Sequence, residues 1–167
     1  ITGKRNVESF SSKKKKTRLE SKQWNHLKCF KDMNIKKQIE LLNRLYLDEN
    51  YDGKEFVEKE VQRKLSGYKN QDTKKEIYHT KYFISYYETL EKLVISKLKC
   101  IYCKCECKLM YENIREKKQW TLDRKDNDQG HNKDNVVICC LECNLKKGTM
   151  DDEKFKFAKQ MRIIKKI

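Results

Sequence analysis

Cys100 and Cys103 are separated by two residues, as are Cys140 and Cys143, and the two pairs stand 36 residues apart. A C-x2-C turn presents two thiolates from one tight bend. Two such turns complete the tetrahedron that Zn²⁺ prefers in a closed structural site. Seven of the eight cysteines fall between residues 100 and 143. Cys105, Cys107 and Cys139 lie beside the pairs without sharing their spacing, so the two-residue gap selects Cys100, Cys103, Cys140 and Cys143 as ligands of one structural zinc. Disulfides are the weaker reading, because a basic chain without a secretion signal meets a reducing compartment. Cys29 lies far off in sequence and is expected to be a buried or free thiol.

Between the pairs the chain reads Gln119-Trp-Thr-Leu-Asp-Arg124, then residues 125–134, then Asn135-Val-Val-Ile-Cys-Cys140. Trp120 and Leu122 alternate with Thr121 and Asp123, while Val136, Ile138 and Cys140 share a face, which is the period of a strand. The second cysteine turn opens a helix. The resulting ββα order sets a carboxylate from the first strand beside an amide from the helix, a workable site for one hydrated divalent cation.

The string LDRKDNDQGHNKDNVVICCLECNLKKG resembles the HNH (ββα-metal) endonucleases of phages and large DNA viruses, in an Asp-Arg variant, over about residues 85–167. The resemblance implies that Asp123 and Asn144 bind a catalytic Mg²⁺ or Mn²⁺ and that Asn135 orients the site by bridging the loop. A base-activated water would then attack a metal-polarised phosphate. Where many members carry a His base, this chain has Arg124, which stays protonated and accepts no proton. Three accounts stand: His131 swings over the site as base, the metal or bulk water serves at a weaker rate, or the site is dead. Arg124 can instead hold the scissile phosphate by a two-pronged contact. Lys146 and Lys147 are the first candidates for phosphate contacts on the helix. Singly, Asp123 reads as a strand-end carboxylate, His131 as a solvated loop residue, and Asn135 and Asn144 as turn or cap residues; only together do they point to a metal nuclease.

Several elements must position these residues. Ile35, Ile39, Leu42 and Tyr46 recur at helical spacing after a capping Asn34, and Phe56, Val57, Val61 and Leu65 restart a helix that ends near Gly67. This helical hairpin is expected to carry solvated Lys and Glu on its outer face. Residues 68–83 read as a connector in which Tyr78, Tyr82 and Phe83 pack. Ser85 and Glu88 form a capping box for a helix that carries Leu90, Leu93, Val94 and Leu98 into Cys100. Thr149 with Asp152 is expected to cap a last helix buried through Phe155, Ala158 and Met161 and widened by Phe157 and Ile164.

The fold class expected is α+β, mostly helical: a flexible basic arm over 1–24, a helical region over 25–84, and the zinc-stapled HNH-like module over 85–167. The arm holds the run Lys13 to Lys16, flanked by Arg5, Arg18 and Lys22. Forty Lys and Arg against 25 Asp and Glu give a formal charge of +15, which calls for a polyanionic partner, double-stranded DNA first. No apolar run approaches the ~20 residues of a membrane helix, so an intracellular protein of cytoplasm or nucleus, or a virion component, is expected. The chain opens at Ile1 and reads as part of a longer one. Proline is absent and Lys, Asn, Ile and Tyr abound, which hints at an AT-rich genome such as that of a large DNA virus. The activity expected is metal-dependent DNA cleavage. The alternative is an inactive HNH-fold module that binds nucleic acid or serves a larger, viral assembly.

Overall fold

The computed structural model describes residues 15–165; residues 1–14, which open the basic arm, and 166–167 lie outside them. The protein is α+β, about half helical, with one two-stranded sheet. Asn34 caps helix α1 (Ile35–Tyr46) by accepting from Lys37 N at 3.0 Å. Its buried face is Gln38, Leu41, Leu42 and Leu45. That face is turned from the expected one, and Tyr46 stays 40% exposed.

Helix α2 (Lys54–Lys74) does not stop at Gly67. A Cβ at Gly67 would meet nothing within 4 Å, so the glycine costs the helix propensity without breaking it. Two further turns form because Tyr68 and Asp72 anchor them on the far half of the molecule. The connector is correspondingly shorter. The Ser85 capping box forms in full, with Glu88 N donating to Ser85 Oγ at 3.2 Å and Ser85 N to Glu88 Oε2 at 2.9 Å. It starts α3 (Tyr86–Ser96), which ends short of Cys100 because Lys97 and Leu98 both take φ of +52°.

Strands β1 (Trp120–Arg124) and β2 (Val136–Cys140) pair antiparallel, with Leu122 opposite Ile138 and Asp123 opposite Val137. All but the last residue of β1 is buried, so the hairpin is covered on both sides. Helix α4 (Leu141–Lys147) follows directly. Helix α5 (Asp152–Ile164) is capped by Asp151, whose Oδ1 accepts from Lys154 N at 3.0 Å, in place of the expected Thr149. Of its apolar residues only Phe155 is buried, against Tyr102 at 5.0 Å between ring centroids. Ala158, Phe157, Met161 and Ile164 are exposed, contrary to the expected face.

One hydrophobic core runs from Trp24 and Phe30 through α1, α2 and α3 to the hairpin and Phe155. Val57, Val61 and Leu65 of α2 enter it. Beside that apolar stripe, Glu60, Lys64, Tyr68 and Asp72 recur every four residues and form a second, polar one. Glu60 Oε2 takes Arg18 Nη2 at 2.7 Å, Lys64 Nζ donates to Gln119 Oε1 at 2.8 Å, and Leu122 N donates to Tyr68 Oη at 3.0 Å. Asp72 accepts from the His131 backbone. Arg18 is therefore not part of a free arm: it is buried, and its guanidinium also stacks 4.3 Å over Tyr111.

Candidate metal centre and the Asp123 edge

The cysteine turns meet at the base of the hairpin. The Sγ atoms of Cys100, Cys103, Cys140 and Cys143 all lie within 4.8 Å of one another. Cys100 and Cys140 are fully buried and Cys143 nearly so. Every cysteine is a free thiol. Four thiols at that spacing fit a tetrahedral ion, and a metal such as zinc would be held by these four residues. Backbone pairing fixes the first turn: Lys104 N donates to Cys100 O at 3.0 Å, and Ile101 N to Ile138 O at 3.1 Å ties it to β2. Because α4 starts at Leu141, the second pair straddles the end of β2 and the first turn of α4. Among the described residues it is the only group of three or more His, Cys, Asp or Glu side chains close enough to hold a metal. Cys29 is a half-buried free thiol beside the core.

The resemblance places a second ion between Asp123 and Asn144. Asp123 is 5% exposed, and its carboxylate is already engaged. Tyr102 Oη donates to Oδ2 at 2.5 Å, and Lys147 Nζ lies 3.2 Å from Oδ2 and 3.4 Å from Oδ1. Lys147 also donates to Arg124 O at 3.0 Å. Burial pushes the Asp123 carboxyl pKa up, while Tyr102 and Lys147 pull it back. The Asn144 amide donates to Thr121 Oγ1 at 3.1 Å and faces Leu122 O at 3.5 Å, holding α4 to β1. As these side chains stand they do not fit a divalent cation, because an ammonium occupies the electrostatic position the ion would take.

No protein-family model matches the chain, and comparison with curated proteins and with solved structures gave no match.

The remaining residues singled out above have well-defined partners. Asn135 stitches the loop after β1: its Nδ2 donates to Asp126 O and Gly130 O, both at 2.9 Å, and its Oδ1 accepts from Asp126 N at 2.9 Å. His131 neither swings over Asp123 nor faces solvent. It is 4% exposed, its Nδ1 lies 2.7 Å from Asp72 Oδ1, and its ring stacks on Tyr68 at 4.4 Å. Burial pushes its pKa down against the opposing pull of Asp72, which keeps the ring neutral at physiological pH. Arg124 is half-buried and reaches the loop after β1, its Nη1 donating to Asn127 O at 3.1 Å and Gln129 O at 3.2 Å. Lys147 is 2% exposed, so the phosphate contact expected of it does not hold. Lys146 is exposed and pairs with Glu142 at 2.9 Å.

Tyr102, Tyr68 and Asp72 were not picked out from the sequence as parts of this site. Tyr102 sat inside the first C-x2-C turn, where a buried tyrosine beside an Asp-bearing strand is a usable signal. Asp72 carried none, because its partner is 59 residues away.

Proposed function

We propose that this chain is a DNA-binding protein of the HNH nuclease fold: a zinc-stapled ββα module whose hydrolytic centre is latched shut by Lys147. The observation that carries this reading is the Asp123 carboxylate, which accepts from Tyr102 Oη and the Lys147 ammonium in a buried pair. An ammonium is no Lewis acid and cannot turn a bound water into a hydroxide as a divalent ion does, so the edge contributes structure and charge in place of hydrolysis. The formal charge of +15 supplies the long-range attraction to phosphates, and exposed Lys146 is a contact once DNA competes with Glu142. Zinc holds the hairpin and α4 together and takes no part in binding chemistry.

A second reading, metal-dependent DNA endonuclease, is favoured by one observation: Asn144 on α4 lies against Thr121 and Leu122, next to Asp123. For that reading Lys147 must leave the carboxylate when DNA and a divalent ion are present.

The two separate in one experiment. Purified protein of measured zinc content is titrated with duplex DNA across a salt series, and incubated with supercoiled plasmid and Mg²⁺ or Mn²⁺ beside Asp123→Ala and Asn144→Ala. The latched module binds with a steep salt slope and leaves the plasmid supercoiled. Nicking by the wild type that both zinc-loaded variants lose establishes the endonuclease. No binding even at low salt overturns both.

A further inference from the structure

Of the aromatic residues expected to pack in the connector, Tyr78 and Phe83 do so, half-buried with ring centroids 5.4 Å apart. Tyr82 does not: it is 52% exposed. Its backbone is nevertheless pinned on both sides. Tyr82 N and Phe83 N both donate to His79 O, at 3.1 and 2.9 Å, and Tyr82 O accepts from Lys133 N at 3.2 Å. Phe83 bridges Asn132 antiparallel, and Ile84 N donates to His131 O at 2.9 Å. The ring is therefore held at the surface beside the loop that joins β1 to β2. Exposed His79 lies 4.8 Å from it, tilted by 47°, and the ammonium of exposed Lys81 sits over its face at 5.5 Å from the centroid. That face is thus reached from the surface. Residues 74–82 hold three lysines, Lys74, Lys75 and Lys81, against one acid, Glu76.

We propose that Tyr82 is a stacking platform for an unpaired base of a DNA strand, with Lys81 and Lys133 on the flanking phosphates. A flat aromatic face set among ammonium groups is complementary to a partner that joins flat π-surfaces to negative charge, which is the chemistry of a single strand. Bases inside a duplex are already stacked on their neighbours and leave no face for the ring. Lys81 exchanges the ring for a phosphate as the base arrives, and Lys133, with a side chain 51% exposed, exchanges Glu88 at 3.3 Å for another. The inference rests on the DNA-binding reading and adds the class of DNA to it: a strand end, a gap or a single-stranded segment.

The test is fluorescence anisotropy of the full, zinc-loaded chain with labelled oligo-dT and with a blunt duplex hairpin, each across a salt series. Tyr82→Ala is expected to weaken oligo-dT binding roughly 5- to 150-fold, the range for one lost base stack, and to leave duplex binding unchanged, while Tyr82→Phe binds like the wild type. Lys81→Ala and Lys133→Ala are each expected to flatten the salt slope on oligo-dT by about 0.7, as for one lost phosphate contact. Equal losses on both DNAs in Tyr82→Ala, or no loss on oligo-dT, overturn the proposal. A polyglutamate chain of equal charge that competes as well as oligo-dT assigns the surface to an acidic protein partner and also overturns it. Duplex binding without oligo-dT binding refutes this inference alone, whereas binding to neither DNA at low salt removes the DNA-binding reading beneath it. Should Tyr82→Ala fail to fold, ultraviolet cross-linking of the wild type to an oligonucleotide carrying 5-iododeoxyuridine decides the matter: a cross-link at Tyr82 supports the platform, and cross-links only at other residues refute it.

Discussion

Lys147 Nζ sits 3.2 Å from Asp123 Oδ2 with its side chain wholly buried, although the two residues are 24 positions apart. Neither charge has water to fall back on. Removing one partner of a buried pair leaves the other uncompensated, at a cost of about 3–5 kcal/mol, whereas removing both is close to neutral. Lys147→Met is therefore expected to lower unfolding stability by about 3–5 kcal/mol, and Asp123→Asn/Lys147→Met to recover most of the loss. Urea unfolding of the zinc-loaded proteins measures both; a single-variant loss below about 1 kcal/mol would mean the pair is solvated.

A second latch joins the helical hairpin to the loop. Asp72 Oδ2 accepts from His131 N at 2.6 Å while Oδ1 holds the ring. Hydrogen bonds to a charged group contribute about 1.5–3 kcal/mol each, so Asp72→Ala is expected to cost about 3–4 kcal/mol and Asp72→Asn clearly less. Gly130→Ala should act at the same place, since its Cβ would come within 2.8 Å of both Asp72 Oδ2 and Ile77 O, an overpacking cost of about 1–3 kcal/mol. Hydrogen exchange should show the loop opening first in all three. Unchanged loop protection would disprove the latch.

Lys64 gives a pH signature. Its amine lies 5.1 Å from the centroid of Tyr111 and 5.0 Å from that of Trp120. Desolvation, aided by nearby Arg18, pulls its pKa down to about 7. The unfolded chain, with lysine near its ordinary value of about 10.4, binds more protons than the folded one between these limits. Stability therefore rises with pH across that window and loses this contribution as pH falls to about 7. The stability difference between wild type and Lys64→Met, followed from pH 7 to 10, should shift in favour of the wild type by no more than about 1.4 kcal/mol per unit. A flat difference would show that the amine stays charged in the fold.

Metal removal is the fourth test. The two cysteine turns join the loop after α3 to β2 and α4, and the sheet has only two strands, too few to stand alone. Chelation of a zinc-loaded sample is expected to melt β1, β2 and α4 together. Loss of zinc with the far-ultraviolet circular dichroism and the Trp120 fluorescence unchanged would argue that the core holds the module without metal.

The sequence by itself determined the parts whose signals are local. C-x2-C spacing is a property of one turn, and it brought the four thiols into one cluster. Strand alternation placed β1 and β2, and the Asn34 cap and the Ser85 capping box are formed by residues three apart. Tertiary structure decided what the charged and polar side chains do, because their partners are distant along the chain. Glu60, Lys64, Tyr68 and Asp72 look like the solvated side of an amphipathic helix, yet each meets a partner more than 40 positions away. The same holds at the site: Asp123 and Lys147 have the types expected of a metal ligand and a phosphate contact. Burial of both on facing elements made them partners of each other, since a desolvated carboxylate takes the nearest ammonium.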